Sequence, residues 1–538
     1  MESKNILKFC LEKGFLIDNE VLKLFNETSD VESVKLIIEK IREVSQQKII
    51  TKEVFNQNKE KVNQFFLTLP KENQEKLESL KIKLGLSIEI SRKTSEVLTH
   101  LSEFNKVEEN LEQDQIDFEK KQINNSISDV KVINSPSILN KKLEVRDFIN
   151  YFRSRFSEMK NILQERSELN NLTSINKIVA NRRNVSIIGI VSDKRITKNQ
   201  NILLEVEDLT GKIKVLISQN KPELYKKAED ITLDSIIGLK GVGNREIMFV
   251  NEIIFPDSVI FERKKSPVEE FVLFIADLHI GSKLFLEENF LKFIDYLNGK
   301  VLNTPEVEKI KYLVIAGDLI AGVGEYPGQE KDLKISDVEL QYAKAAELLG
   351  KIRNNIKIII CPGNHDALRI MEPQPLLDEK YAWPLYNLKN IILVTNPSQI
   401  NIGSRKGFNG FNILLYHGYS YHYYANNISR LMKEKAVHQP DKLMHYLLKQ
   451  KHLAPTHSST LYFPSEEDFL IIKNVPDILV SAHTHKSAVS YYNNILTISS
   501  SSWESKTAFQ EKMGNEPDFC KVPMFNLKTR AIRVLDFE

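Results

Sequence analysis

The sequence predicts an α/β protein in which a layered α/β domain follows a small β-barrel and, nearer the N-terminus, a helical module on a flexible tether. Between residues 268 and 538, apolar β-branched runs alternate with amphipathic stretches such as NFLKFIDYLNGKVL. This alternation is typical of strands and helices in a layered α/β domain. Between residues 182 and 262 the apolar residues recur every second position in short runs, which predicts a barrel.

The region ahead of the barrel divides into three segments that differ in composition and in the periodicity of their apolar residues. Residues 1–45 carry helical periodicity and predict a small helical module, which is either a local bundle or a docking unit. Residues 46–142 are charged, and from His100 onward so polar that packing would not offset the lost conformational entropy. We therefore expect a charged, partly disordered tether there. Residues 143–181 regain helical spacing and predict a helical connector.

The barrel region fits an OB-fold best, because about five short strands are combined with a helical spacer near PELYKKAED. The turn Asp208-Leu209-Thr210-Gly211 joins two of the strands. Many OB barrels bind single-stranded nucleic acid by aromatic stacking, yet these strands carry almost no aromatic residue besides Phe249. A protein-contact role is favoured over nucleic-acid binding.

Composition narrows the classes of function and location. The chain has 74 basic and 72 acidic residues and a formal charge of +2, so it lacks the global excess of a protein that coats nucleic acid by charge alone. Three cysteines with no CxxC pair predict neither a disulfide framework nor a thiolate zinc site, and indicate the reducing cytoplasm. No apolar run approaches the ~20 residues of a membrane span, and charges interrupt the start where an export signal would be apolar.

Five apolar runs each end in residues able to bind a metal: FVLFIADLH, YLVIAGD, IKIIICPGNHD, NILLYHG and DILVSAHTH. Read as buried strands, they should meet at the carboxyl edge of one sheet, where ligands bind in α/β domains. Five of the eleven histidines fall at this predicted site. The residues concerned are Asp277, His279, Asp318, Asn364, His365, His417, His483 and His485.

The predicted ligands favour two divalent ions. In an extended segment residues i and i+2 point to the same side, so Asp277 with His279 and His483 with His485 would each present two ligands. Asp318 could bridge the ions. Nitrogen and oxygen ligands without thiolate favour Mn²⁺, with Mg²⁺, Fe or Zn²⁺ as alternatives.

Two such ions about 3.5–4 Å apart can clamp a phosphate and activate water at neutral pH. His365 could then protonate the leaving oxygen, and Asp366 could orient its ring. Any single histidine could instead be an ordinary core or surface residue whose hydrogen bonds are satisfied. The placement of all five histidines at predicted strand ends favours the metal site.

The blocks DLH, GD, GNHD, a later His and HTH resemble those of the calcineurin-like metallophosphoesterases in order and spacing over about residues 268–500. The resemblance implies a four-layer sandwich in which His365 is the general acid. Ala482 stands where that family usually has glycine before the last HxH, so the backbone conformation at this position is expected to differ from that of the family. The implied ligand sets are Asp277, His279, Asp318 and His485 for one metal, and Asp318, Asn364, His417 and His483 for the other.

The stretches between these blocks resemble the small subunits of archaeal family D DNA polymerases, namely GVGEYPGQEKDL, GNHDALRIMEPQPLL, HGYS and HLAPTH. This resemblance implies a 3′-to-5′ exonuclease that removes misincorporated nucleotides from the single-stranded 3′ end of a primer, in a heterodimer with the large catalytic subunit. The alternatives are a catalytically silent scaffold subunit and a free-standing phosphoesterase acting on a small molecule. The complete ligand set favours catalysis over the scaffold, and the tether and barrel argue against the small-molecule enzyme.

Other residues near the predicted site have two interpretations each. The aromatic run after HGYS could stack on bases or pack in the core, and packing is favoured. Arg369 could contact phosphate or form a surface salt bridge. Cys361 is predicted to be an apolar filler, and Trp503 to lie in strand and loop material behind the site. The aromatic run consists of Tyr421, His422, Tyr423 and Tyr424.

Overall fold

The computed structural model describes residues 130–136, 142–179 and 183–538, and a few positions among the first 50 residues. The chain divides into two compact units, residues 1–112 and 113–538. In the first unit the described positions include helical residues at 8–10 and a two-residue parallel pairing of Leu16–Ile17 with Ile49–Ile50. Most of the predicted helical module and tether lies outside the described residues.

The first strand of the second unit lies within the span that the sequence predicted to be a tether. Strand β1, Val130–Asn134, falls within the span 46–142 that was expected to be partly disordered, yet it pairs antiparallel with Ser398–Ile402. Val130 is buried in the core between two sheets. The prediction was wrong here because a distant strand supplies hydrogen bonds that the local polar composition does not reveal.

Helix α1, Val145–Gln164, occupies the predicted connector. Its inner face carries a buried residue every three or four positions, as expected for an amphipathic helix. Tyr151 packs against the helices of the C-terminal domain, whereas Met159 and Leu163 pack with Ile188 and Ile236 of the barrel. The helix therefore joins the two domains of this unit.

The barrel is closed and five-stranded, as predicted. Its strands run in the order β2-β3-β4-β6-β5, and β5 pairs back onto β2; only β4 and β6 are parallel. Asp208 Oδ1 accepts hydrogen bonds from the amides of Thr210 and Gly211, which closes the predicted turn. The elements are β2 Arg183–Ile196, β3 Ile202–Asp208, β4 Gly211–Ile217, α2 Pro222–Glu229, β5 Ile236–Gly243 and β6 Ile247–Ile254.

The C-terminal domain contains two six-stranded sheets. The first has the order β10-β9-β8-β7-β16-β17 and the second the order β14-β15-β13-β12-β11-β1. The strands are β7 Phe271–Ile275, β8 Ile310–Ala316, β9 Lys357–Cys361, β10 Ile391–Leu393, β11 Ser398–Ile402, β12 Phe411–Leu415, β13 Ile478–Ser481, β14 Ala488–Tyr492, β15 Ile495–Ser499, β16 Lys521–Asn526 and β17 Ile532–Asp536.

Helices cover the outer faces of both sheets. Helices α3 and α4 pack on the first sheet, and α6 and α8 on the second. Because the strands are covered on both faces, β7 is buried along its whole length. The helices are α3 Glu287–Leu297, α4 Val338–Leu349, α5 Glu379–Tyr386, α6 Tyr421–Asn427, α7 Ser429–Lys433, α8 Pro440–Gln450 and α9 Ala508–Met513.

The expectation of a single sheet edge was wrong. Strands β7, β8 and β9 belong to the first sheet, but β12 and β13 belong to the second. The two sheets pack face to face through apolar side chains such as Val314, Ile359, Ile413 and Val480. Both contain a parallel core, so their carboxyl ends can approach each other across this interface.

No helix within the described part of the chain has the length and the apolar character that crossing a membrane requires.

Candidate metal centre

The turns that follow five strands bring the predicted ligands together. Asp277 and His279 follow β7, Asp318 follows β8, Asn364 and His365 follow β9, His417 follows β12, and His483 and His485 follow β13. Three overlapping groups have ligand atoms within 4.8 Å of one another. These groups are Asp277, His279 and His485; His279, Asp318 and His365; and Asp318, His417 and His483.

Left-handed backbone, and not an extended segment, orients these side chains. The φ angles are 49° at Asp277 and His279, 51° at Asp318, 68° at His483 and 55° at His485. The expected i, i+2 strand geometry was therefore wrong, since each pair lies in a turn beyond its strand. Non-glycine residues rarely adopt this conformation, and its concentration in one place is typical of functional sites. The positive angles do not include Ala482, so alanine is accommodated there.

One half of the centre contains Asp277, His279 and His485. The two imidazoles face each other with their Nε2 atoms 3.2 Å apart, and His485 Nε2 lies 4.0 Å from Asp277 Oδ1. Asp277 Oδ2 accepts a hydrogen bond from the His483 amide, whereas Oδ1 is buried and has no hydrogen-bond partner. A buried carboxylate oxygen without a partner is costly. This unpartnered oxygen beside two imidazole nitrogens fits a cation.

The other half contains Asp318, Asn364 and His417. The His417 Nδ1 atom lies 2.9 Å from the Ala316 carbonyl, to which it can only donate, so Nε2 is the nitrogen that faces the site. There Nε2 lies 3.0 Å from Asn364 Oδ1 and 3.2 Å from Asp318 Oδ2. Three electron-rich atoms converge, and either a proton or a metal cation is needed between them.

The electrostatics of this half favour a positive charge. Burial opposes protonation of His417, but the Asp318 carboxylate outweighs it and raises the pKa of His417 to about 10. Although burial acts in the other direction, the same imidazole holds the pKa of Asp318 well below its usual range. Burial lowers the pKa of His279 to about 3 and that of His485 to about 3, so both rings are neutral and able to bind a metal.

His365 lies at the edge of both halves. Its amide donates to Asp318 Oδ1 at 2.8 Å, and its Nδ1 atom contacts the Ala321 carbonyl at 2.9 Å. Its ring centroid is 4.7 Å from that of His279. Nδ1 is thus engaged with the backbone, and Nε2 is left to face the site.

Asp366 does not orient the His365 ring, which differs from the prediction. Its buried carboxylate accepts hydrogen bonds from the amides of Gly363, Leu319 and Ile320, at 2.8, 3.4 and 3.3 Å. Burial raises the pKa of Asp366 to about 7. The Asp366 carboxylate therefore links the turn after β9 to the turn after β8 by hydrogen bonds.

Residues that sequence analysis missed form hydrogen bonds with the predicted ligands. Asn396 Oδ1 accepts a hydrogen bond from the His417 backbone amide at 3.0 Å. The Gln510 side-chain amide nitrogen lies 2.9 Å from His485 Nδ1. A Cβ atom on Gly317 would lie 2.4 Å from His417 Nδ1, and one on Gly363 would lie 2.2 Å from Asp318 Oδ1. The glycines before Asp318 and Asn364 were visible in the motifs, but nothing in the spacing pointed to Asn396 or Gln510.

The remaining candidates divide between packing and the site. Cys361 is buried between the sheets, as predicted. Trp503 is fully buried against Phe290, and its amide donates to the Asp277 carbonyl, so it lies behind the site. Arg369 stacks over Phe463, with its guanidinium carbon 3.8 Å from the ring centroid, so its predicted phosphate contact remains a prediction.

The aromatic run 421–424 mainly packs in the core, as favoured. Tyr421 and Tyr424 are fully buried in the helical layer beside the second sheet. Tyr423 is half-buried and packs edge-on against Tyr424. His422 differs, because its ring lies 5.2 Å from that of His483.

These features define a mixed α/β protein with a histidine- and aspartate-rich cluster at the strand ends of two packed sheets. The family model for the B-subunits of DNA polymerases alpha and epsilon matches residues 272–490. A DNA polymerase II small subunit from Methanothermobacter thermautotrophicus is 39% identical over 398 residues, which cover 73% of this chain and 80% of the relative. Its counterpart from Pyrococcus furiosus is 37% identical over 403 residues, 73% of this chain and 64% of the relative.

The chain belongs to the family of archaeal DNA polymerase II small subunits. The resemblance to family D polymerase small subunits is therefore confirmed. Among solved structures, an archaeal phosphodiesterase is 12% identical in a match that covers 49% of this chain and 98% of the phosphodiesterase chain, with a TM-score of 0.25. A predicted phosphoesterase from Streptococcus pneumoniae is 13% identical in a match that covers 51% of this chain and 92% of the phosphoesterase chain, with a TM-score of 0.22. Similarity at these scores carries no argument about activity.

Proposed function

We propose that this chain is the 3′-to-5′ exonuclease subunit of a family D DNA polymerase. It would act in DNA replication, hydrolysing phosphodiester bonds at single-stranded 3′ ends with two divalent ions. Relatives named small subunits imply a large catalytic subunit as the partner. The two-sheet domain would then be a four-layer phosphoesterase sandwich, with the primer end at the carboxyl ends of its strands.

The convergence of acceptor atoms, one of them without a hydrogen-bond partner, supports this proposal most strongly. Asp277 Oδ1 has no hydrogen-bond partner, and His417 Nε2 faces the oxygens of Asn364 and Asp318. Bound divalent ions would supply electrophilic polarisation of the phosphate and a water of lowered pKa. The first ion would be held by Asp277, His279, Asp318 and His485, and the second by Asp318, Asn364, His417 and His483. Mn²⁺ is the preferred candidate for this nitrogen and oxygen ligand set.

The other side chains would orient the substrate and move a proton. His365 is fixed through its amide and Nδ1, which leaves Nε2 to donate a proton to the leaving 3′ oxygen. The protein also keeps bulk water from the ligands, because Asp277 and His417 are fully buried. The proton donor thus lies beside the carboxylate that would bridge the ions.

The test is digestion of a 5′-labelled single-stranded oligonucleotide by the full chain, alone and with the large subunit, in Mn²⁺, in Mg²⁺ and in chelator. We expect metal-dependent shortening from the 3′ end. Asp318→Ala and His365→Ala should lower the rate by at least about 10²-fold while still binding the large subunit. The matched controls Asp193→Ala and His438→Ala, remote from the cluster, should digest normally.

Undiminished digestion by either site variant, in preparations free of contaminating nucleases, would refute the site assignment. Absence of digestion by the wild-type complex under all metal conditions would instead favour the catalytically silent scaffold.

A further inference from the structure

Tyr419 is an aromatic residue at the metal centre that the ligand motifs do not include. It lies two positions after His417, and its ring centroid is 5.5 Å from that of His483 with an interplanar angle of 47°. The residue as a whole is half-buried, so part of Tyr419 is accessible to solvent while its ring contacts the imidazole. A partly exposed aromatic residue thus lies directly beside a predicted ligand.

The backbone is built to hold Tyr419 in this position. Gly418 has a φ of +114°, and a Cβ atom there would lie 2.9 Å from Ser481 Oγ and 3.2 Å from the Ala482 carbonyl oxygen. Glycine therefore lets the chain pass directly against the end of β13. Ser481 Oγ donates to the Tyr416 carbonyl at 2.7 Å, which ties the ends of β12 and β13 together. The ring of Tyr419 is consequently carried to His483.

Tyr419 differs from its neighbouring tyrosines. Tyr416, Tyr421 and Tyr424 are fully buried, and Tyr423 packs against Tyr424 in the helical layer. Among the described tyrosines from 416 to 424, Tyr419 combines partial exposure of the residue with a ring contact to a residue of the cluster. Core packing accounts for the buried tyrosines, but it does not account for a partly exposed tyrosine beside the cluster.

We propose that Tyr419 is the stacking platform for the nucleobase of the 3′-terminal nucleotide. This inference rests on the proposed exonuclease function, because a phosphodiester held at the cluster brings its attached nucleoside beside His483. Every base has a π-face, so stacking on a tyrosine positions the terminal nucleotide without selecting its sequence. Such tolerance is what removal of any misincorporated nucleotide requires. Tyr419 would thus recognise the presence of a base and not its identity.

The experiment uses the full chain in Mn²⁺ with two single-stranded oligonucleotides, one ending in 3′-thymidine and one ending in a 3′ abasic tetrahydrofuran residue. The measured quantity is the ratio of kcat/KM for the base-bearing end to that for the abasic end. We expect this ratio to fall by about tenfold in Tyr419→Ala, mainly through KM. Tyr419→Leu, which preserves apolar packing on His483, should show the same fall, and Tyr419→Phe should keep the wild-type ratio.

Tyr423→Ala is the matched control, since it removes a half-buried tyrosine of the same segment that packs away from His483, and it should keep the ratio. An unchanged ratio in Tyr419→Ala and Tyr419→Leu, including an equal loss of activity on both ends, would overturn the inference and leave the exonuclease assignment intact. Wild-type protein that hydrolyses neither end would refute the proposed function and the inference with it.

Discussion

His417 and Asp318 follow strands of different sheets, yet His417 Nε2 lies 3.2 Å from Asp318 Oδ2. His417 follows β12 of the second sheet, and Asp318 follows β8 of the first. Their contact closes the gap between the carboxyl ends of the two sheets. The candidate centre therefore depends on the packing of the sheets as well as on the ligands.

The first prediction concerns metal binding, measured independently of hydrolysis. Wild-type protein equilibrated with Mn²⁺ should bind about two ions per chain by isothermal titration calorimetry and elemental analysis. His485→Ala should retain about one, because it removes a ligand from one half only. Asp318→Ala should lose high-affinity binding of both ions, since its carboxylate adjoins both halves. Two tightly bound ions in Asp318→Ala would contradict a bridging carboxylate.

The second prediction concerns Gly363. A methyl group there would lie 2.2 Å from Asp318 Oδ1 and 2.5 Å from the Asp318 amide nitrogen, so the carboxylate would have to move. Gly363→Ala should weaken Mn²⁺ binding and lower the proposed exonuclease activity by about 10²-fold, because small displacements of reacting groups are costly. The protein should still fold, as judged by circular dichroism.

Gly211→Ala is the control for this substitution, because its added methyl group would meet only Ile175 Cγ2 at 3.5 Å. It should bind Mn²⁺ as the wild type does. Normal metal affinity in Gly363→Ala would show that the turn after β9 tolerates the displacement.

The third prediction concerns the N-terminal boundary of the C-terminal unit. Removal of residues 1–112 should spare the proposed hydrolysis, because it leaves the second compact unit whole. Removal of residues 1–140 should lower the thermal midpoint, because it deletes β1 and exposes the edge of β11 together with the core around Ile400 and Ile402. Equal thermal midpoints for the two truncations would show that β1 contributes little.

The sequence predicted which residues meet but not how they meet. The members of the cluster could be predicted because each follows an apolar run, and buried parallel strands end in polar turns. The partition into two sheets could not be found, since an apolar run does not reveal its neighbour and β12 pairs with β13 about 65 residues further along. Strand β1 was missed for the same reason.

The local geometry was also beyond the sequence pattern. Left-handed φ angles at Asp277 and His485 arise from tertiary contacts, since aspartate and histidine do not ordinarily favour that region over extended backbone. Supporting residues such as Gln510 and Asn396 come from loops that carry no periodic signal. Tyr419, by contrast, stood beside a recognisable motif, and only its exposure distinguished it from the buried tyrosines that follow.

The last prediction concerns a buried ion cluster that joins α1 to the C-terminal domain. Arg155 forms a salt bridge with Asp468, and its Nη1 atom donates to the Pro455 carbonyl at 2.9 Å. His452 Nε2 lies 2.9 Å from Asp468 Oδ2, while His452 Nδ1 accepts the Ala454 amide at 3.0 Å. Both ring nitrogens are thus satisfied by the neutral imidazole.

Burial, reinforced by Arg155, lowers the pKa of His452 below its ordinary value of 6.5. The unfolded chain therefore binds the proton more readily than the folded one, so this contribution to stability is present above pH 6.5 and is lost as the pH falls below it. Although burial acts in the other direction, the Arg155 guanidinium lowers the pKa of Asp468, and this carboxylate contributes to stability in a separate window below about pH 4.

The measurement is the thermal unfolding midpoint between pH 5 and pH 7.5 in chelator. We expect the midpoint of the wild type to fall more steeply with decreasing pH than that of His452→Gln, whose neutral amide can donate to Asp468 and accept from Ala454 at any pH. His438→Gln, outside both this cluster and the candidate metal centre, should follow the wild type, which shows that loss of a histidine does not by itself change the pH profile. Parallel pH profiles for the wild type and His452→Gln would show that His452 is not a source of the acid sensitivity.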